Sequence, residues 1–199
     1  MTEGEFTRLS LILGHPFKNR NLLEQALTHR SKCGSFMVNN ERLEFLGDRV
    51  LDLVVSDILY NKFPEMSEGV LSKFRSTIVN NDTLAKVGDS IDLADYLILG
   101  EGQIHEIPPK LVANTLEAII GSIYLDSAFP LLSCRDLVEK HFSAYIPDIP
   151  NNTIFNDYKS ALQEYLQNHG QEFYYDYVES GPDHNKEFTC TTRWHNGDP

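Results

Sequence analysis

Residues 40–55 read Asn40-Glu41-Arg42-Leu43-Glu44-Phe45-Leu46-Gly47-Asp48-Arg49-Val50-Leu51-Asp52-Leu53-Val54-Val55, and their spacing decides what kind of chain this is. On a helix turning about 100° per residue, Glu41, Glu44, Asp48 and Asp52 fall within one stripe about 80° wide. Leu43, Leu46, Val50 and Val54 fall on the opposite side. A solvated acidic face would explain that much. Phe45, Leu51 and Val55 border the stripe, however, so the helix is apolar on nearly every side, and such a helix is expected to be buried. Buried carboxylates need a partner. No Lys lies on the stripe, and Arg42 and Arg49 stand at its edge, which makes a hard, oxygen-ligated cation such as Mg²⁺ the natural candidate.

The 199 residues allow one core of about 150 residues and a small appendage. Hydrophobic residues at 41% and charged residues at 23% are those of a soluble globular protein. We find no basic-plus-apolar leader and no run near the roughly 18 apolar residues of a membrane span, so a cytoplasmic protein without a membrane partner is expected. Cys33, Cys134 and Cys190 are odd in number and form no C-x-x-C pair, which argues for a reducing compartment and against zinc. A net charge of −12 weighs against nucleic acid as a partner, except where the acids are seats for cations.

Outward from the central stretch, the chain reads as helix after helix. Residues 5–13 form a short one, stopped by Gly14-His15-Pro16. Asn19 or Asn21 caps a second, Leu22 to Thr28, with Glu24 in capping-box position after Asn21. Residues 29–34 are a loop. Asn39 or Asn40 caps the central helix, which Pro64 ends. Ser67 starts a helix to about Val79 with Glu68 in its first turn, and Asn81-Asp82 caps another from Thr83 to Ile91. Leu93 to Glu101 is irregular, and residues 102–109 are a loop. Pro109 at a first helical position opens a strong helix, Lys110 to about Leu125, and a last one runs from Pro130 to about Ile146. No strand is expected before Pro147. Residues 148–156 are a Pro/Asn-rich linker. Residues 157–199 then change character: a helix to Asn168, a strand over 172–179, a turn at Gly181-Pro182-Asp183-His184, and a strand over 186–194.

A second polar constellation lies at Asn114-Thr115-Leu116-Glu117, where Asn114 and Glu117 are i and i+3 and share a helix face. Gly121, one turn on, leaves room for close helix approach. With Glu41, Glu44 and Asp48, this makes four acids and one amide on two helices, the way bundle metal sites are built. A di-iron site would want Glu-x-x-His on two helices, and no His sits three after a Glu of this set. Alone, Glu68 reads as a first-turn acid, and Arg30, Lys73 and Arg75 read as solvated charges.

At this point the residues carry a resemblance. Asn40 through Asp48 resembles the nine-residue signature of the ribonuclease III family. Thr28-His29-Arg30-Ser31 before it, Phe63-Pro64 through Glu68-Gly69 after it, and Asn114-Thr115-Leu116-Glu117-Ala118 follow that family's order and spacing. Tyr158 to Arg193, with Leu162-Gln163-Glu164-Tyr165 and residues 181–188, resembles the first part of a double-stranded-RNA-binding domain. The resemblance implies an all-α endonuclease domain over 1–147 and the N-terminal α-β-β part of an RNA-binding domain over 157–199. It implies Mg²⁺-dependent hydrolysis of double-stranded RNA, with Mn²⁺ able to substitute and no organic cofactor, leaving 5′-phosphate and 3′-hydroxyl ends in rRNA and mRNA precursors. Glu41, Asp48, Asn114 and Glu117 match the metal set, with Asp48 and Glu117 as the catalytic pair. Glu44 and Glu68 match further acidic positions. Phe45 matches a position at a homodimer interface, and Gln163, Glu164 and His184 match RNA contacts.

Two departures bear on these expectations. The family's usual Asp is Asn114 here, which removes a negative charge from the metal set. Residues 151–199 carry Lys159, Lys186 and Arg193 against eight acids, so this part has a charge of −5 and the first 150 residues −7. A third strand and a final basic helix, which such a domain needs, are absent, and little phosphate-driven affinity is expected from it. The alternative function is a catalytically silent member of the fold that binds double-stranded RNA as a scaffold. A helical dimerisation module would explain Phe45 but not the acidic stripe.

Overall fold

The computed structural model describes residues 1–32, 38–100, 107–147, 169–170, 173–180 and 187–194. The chain divides into two compact units, Met1–Asp148 and Ile149–Pro199. The first is helical: α1 (Glu3–Leu13), α2 (Arg20–Leu27), α3 (Glu41–Lys62), α4 (Glu68–Ile78), α5 (Asn81–Ser90), α6 (Pro109–Asp126) and α7 (Pro130–Phe142). Its strand content, among the described residues, is a single parallel bridge between Thr28 and Ile98. In the second unit, β1 (Phe173–Ser180) and β2 (Glu187–Trp194) pair antiparallel, from Phe173 opposite Trp194 to Ser180 opposite Glu187. The helix expected over 157–168 and the linker over 148–156 lie outside the described residues.

α3 and α6 are the main packing pair of the first unit, and the sequence explains why they come so close. A Cβ added at Gly47 would stand 2.7 Å from the carbonyl carbon of Glu117 and 2.8 Å from the nitrogen of Gly121. One added at Gly121 would meet Leu43 and Gly47 backbone in turn. Only two glycines facing each other allow backbone to touch backbone here. Around this crossing, Leu43, Val50, Leu51, Val54 and Val55 of α3 are buried with Leu116, Ile119, Ile120 and Ile123 of α6. Each such side chain contributes about 1.5–3 kcal/mol. The polar residues that α6 buries are satisfied locally: Thr115 donates to the Leu111 carbonyl at 2.9 Å and Ser122 to that of Ile119 at 2.7 Å.

The helix ends correct several expectations. Asn19, not Asn21, caps α2, accepting from the Asn21 N–H at 3.1 Å. Glu24 makes no capping box because its carboxylate is taken by Arg20 at 2.9 Å. α5 starts at Asn81 under Asn80, which accepts from the Thr83 N–H at 2.8 Å. Asn40 is buried and uses no side-chain cap; Asn39 accepts from the Glu41 N–H at 3.0 Å instead. α1 extends back to Glu3 through a capping box of Thr2 and Glu5. α7 stops at Phe142, one turn short of Ile146.

The ends of α1, α6 and α7 are clasped together. The Asp126 carboxylate, 2% exposed, accepts from the Lys18 and Asn19 N–H groups at 2.9 and 2.8 Å and contacts His15 Nε2 at 2.9 Å. Burial opposes its charge, yet these donors hold its carboxyl below the ordinary value. Lys140 donates to the Leu11 and Ile12 carbonyls, and His141 Nε2 also meets that of Ile12, at 2.9 Å. Orphan carbonyls at the C-terminus of α1 thereby find donors from α7: the Lys140 ammonium and the His141 ring, whose pKa burial lowers.

Candidate active site

The Gly47–Gly121 crossing sets Glu117 of α6 beside the acidic stripe of α3. Glu117 is half-buried, and its carboxyl is pushed up to about 7 by burial, then by the Asp48 and Glu44 carboxylates, against a partial offset from Arg49. Glu44 is also raised, by burial first; the Asn114 amide, donating to Glu44 Oε1 at 2.9 Å, opposes the rise. Carboxylates crowded until one resists ionisation form a site that a cation would relieve.

The stripe does not behave as one unit. Glu41 is exposed (53%) and contacts Arg30 at 3.5 Å and Asn39 at 3.1 Å. Asp48, 37% exposed, pairs with Arg49. Asp52 is neutralised by Arg49 at 3.2 Å and by Arg75 of α4 at 3.9 Å, which leaves it a structural role. The expectation of a helix buried on nearly every side is corrected: Phe45 is 78% exposed, Leu53 is exposed and Leu46 only half-buried. Glu41 and Glu44 line a cleft at the edge of the buried face rather than sitting inside it.

That cleft, about 590 Å³, is lined by His29, Arg30, Glu41, Glu44, Lys110 and Asn114 among others. Among the described residues, no three His, Cys, Asp or Glu side chains are gathered into a set that could hold an ion as placed. The reason is visible in the pairings: Asp48 is turned to Arg49, and Glu44 is engaged by Asn114. Glu68 stands apart, accepting from Ser72 Oγ at 2.7 Å in a separate groove between α3 and α4. Phe45 borders a second hollow, about 890 Å³, with Leu22, Val38, Leu46 and Leu125. Gln163, Glu164 and His184 lie outside the described residues.

Lys110 and His29 escaped the sequence reading. Lys110 is four residues before Asn114, so the helical spacing already placed it on the same face. His29 is oriented by Ser31, whose N–H donates to Nδ1 at 3.2 Å. No local signal tied Arg75 to Asp52, because they belong to different helices.

A Ribonuclease-III-like family model matches residues 19–145, and a Double-stranded RNA binding motif model matches residues 158–198. Ribonuclease 3 of Nitratiruptor sp. is 42% identical over 188 residues, covering 92% of this chain and 81% of that protein. Ribonuclease 3 of Shewanella oneidensis is 45% identical over 163 residues, covering 80% and 70%. The crystal structure of the nuclease domain of ribonuclease III from Campylobacter jejuni matches with a TM-score of 0.67 at 38% identity, covering 75% of this chain and all of that one. Fold and matches together define an endoribonuclease whose nuclease domain is followed by an RNA-binding region. Within that class, the chain belongs to the ribonuclease III family. Among the described residues, no helix is long and apolar enough to cross a membrane.

Proposed function

We propose that this protein hydrolyses double-stranded RNA with Mg²⁺, leaving 5′-phosphate and 3′-hydroxyl ends, as a cytoplasmic homodimer that processes rRNA and mRNA precursors. We assign the nuclease to residues 1–147 and duplex binding to residues 157–199. The observation that carries this reading is Glu117, forced up to about 7 beside Asp48 and Glu44 at a helix crossing. The candidate donor set, carboxylates and one amide, is all-oxygen, which suits Mg²⁺ or Mn²⁺.

Glu41, Asp48, Asn114 and Glu117 would hold the metal, which when bound activates water and neutralises charge on the scissile phosphate. Glu117 and Asp48 do this from opposite sides of the α3–α6 crossing, so their separation is fixed by backbone contact rather than by side-chain packing. Asn114 orients Glu44 through its amide. Arg49 pairs with Asp48, so a cation held by Asp48 would compete with that pair. Exposed Phe45 beside a hollow that Leu22, Val38, Leu46 and Leu125 line together with polar residues suits insertion into a second copy of the chain. The related nuclease domain of ribonuclease III from Campylobacter jejuni has a region involved in dimer formation that is structurally flexible.

One observation favours the second reading, a silent RNA-binding scaffold: the Asn114 amide presents a donor, not an oxygen, to Glu44. Cleavage of a labelled RNA duplex with Mg²⁺ and with chelator, by this chain, by Glu117→Gln and by Asn114→Asp, separates the two. Metal-dependent cutting abolished by Glu117→Gln is expected. Duplex binding with no cutting by this chain or by Asn114→Asp would establish the scaffold instead.

A further inference from the structure

Arg49 pairs in a way that helix geometry alone does not explain. Neighbours i and i+1 on an α-helix do not face each other, whereas i and i+3 share a face. The partner that α3 offers Arg49 is therefore Asp52. Yet the guanidinium folds back along the helix to Asp48: Nε donates to Asp48 Oδ2 at 3.1 Å, and Nη2 donates to the same oxygen. Nη1 reaches Asp52 Oδ2, at 3.2 Å. The crowding of acids accounts for the bend, because Asp48 and Glu44 press on Glu117 and Arg49 offsets them. Asp52 is steadied on its other side by α4. Its Oδ1 faces Arg75 Nε at 3.9 Å, and Arg75 Nη1 donates at 3.2 Å to the Ser56 hydroxyl, which itself donates to the Asp52 carbonyl at 2.6 Å. Arg49 is 67% exposed, so its fork can swing from one carboxylate to the other through water.

We infer that Arg49 is a tethered counter-cation with two seats, Asp48 and Asp52, and that Asp52 is the positioning residue that sets how readily Asp48 is yielded to a divalent cation. This rests on the metal-site reading above. To leave Asp48, the guanidinium must find another carboxylate or remain in water. Asp52 supplies one a single turn away, about 6 Å along the axis, and can take both prongs of the fork once Asp48 is given up. Yielding therefore costs less with the second seat than without it. Pairs between exposed side chains are weak and screened by salt, so the device tunes affinity by a few-fold and does not close the site. Asp52 touches neither metal nor RNA in this scheme; its structural role is to seat Arg49.

The bland alternative is that Asp52 acts on the ion only through space, as one more negative charge. Mn²⁺ binding to the full chain without RNA, read from the electron paramagnetic resonance of the free ion at one fixed ionic strength, distinguishes them. The binding that counts is the part lost in Glu117→Gln. Arg49→Ala is expected to tighten its Kd about fivefold and Asp52→Asn to weaken it about fivefold, the upper scale of an exposed pair. Asp52→Glu, which keeps the second seat, should stay within about twofold. In the Arg49→Ala background, Asp52→Asn is expected to change Kd by less than about twofold, because its effect runs through Arg49. Attraction through space would survive the loss of Arg49. A weakening by Asp52→Asn that is as large or larger in that background overturns the proposal, and so does an unchanged Kd for Asp52→Asn alone. A chain with no Mn²⁺ binding that depends on Glu117 overturns the metal-site reading and this inference with it, whereas Glu117-dependent binding with additive effects overturns this inference alone.

Discussion

Gly47→Ala is the sharpest perturbation the fold offers. The added methyl would sit 2.7 Å from the Glu117 carbonyl carbon and 2.8 Å from the Gly121 nitrogen, whereas ordinary contact begins at 3.4 Å. The Glu117 carbonyl oxygen lies closer still, all of these obstacles are backbone so no side chain can swing aside, and α3 and α6 must separate by on the order of 1.5 Å. Overpacking of this kind costs about 1–3 kcal/mol, a fall of roughly 5–10 °C in melting midpoint for a unit of this size. The same displacement carries Glu117 away from Asp48 and Glu44, and misplacement near 1 Å costs about 100-fold in rate. Thermal melting and duplex cleavage read the two effects. Gly4→Ala in α1, where an added Cβ meets nothing within 4 Å, is the matched control and should leave both unchanged or slightly raise stability. If Gly47→Ala melts within about 1 °C of the unaltered protein and cuts within about twofold, the backbone crossing does not fix the site.

The other expected outcomes concern the clasp and the exposed ring. Asp126→Asn replaces the charged acceptor of two N–H groups and His15, and is expected to cost about 1–3 kcal/mol at pH 7 by urea denaturation. Because the folded carboxyl is held below its unfolded value of 3.8, the charge stabilises above that value and is lost as pH falls through the folded one. The gap between Asp126→Asn and the unaltered protein should therefore narrow below about pH 4; a gap that widens in acid would contradict the assignment. Phe45→Ser removes a side chain that is 78% exposed in one chain, so monomer stability should hold while sedimentation shifts from dimer to monomer. An unchanged dimer would place the interface elsewhere.

The helices of the first unit were legible because their apolar spacing, their prolines and a few caps agree with one another. Pro109 and Gly14 mark their helix ends correctly, one through a fixed φ and the other through a left-handed one, φ 75°. Asn81 and Asn21 misled because each follows another Asn or lies two residues beyond one, and local sequence does not say which side chain turns back. Glu44, Asp48, Asn114 and Glu117 were legible as a group, since helical spacing gives each pair and the facing glycines hint at the crossing. Asp52 read as a fourth member of the stripe, but Arg75, 23 residues on, takes it out. The burial of Asp126 depends on the meeting of α1, α2 and α6, which no local pattern encodes.

The clasp has a consequence for where the working unit begins. The family match starts at residue 19, past α1, so a trim guided by likeness alone would discard the first helix. That cut would bare the apolar sockets filled by Leu9 and Leu13. It would also strip Asp126 of His15 and the Lys18 N–H, loosening the far end of the same helix that carries Glu117. The first eighteen residues thus act as a splint for the nuclease, and an amino-terminal tag or protease nick there would be felt nine residues down α6, at the acid itself.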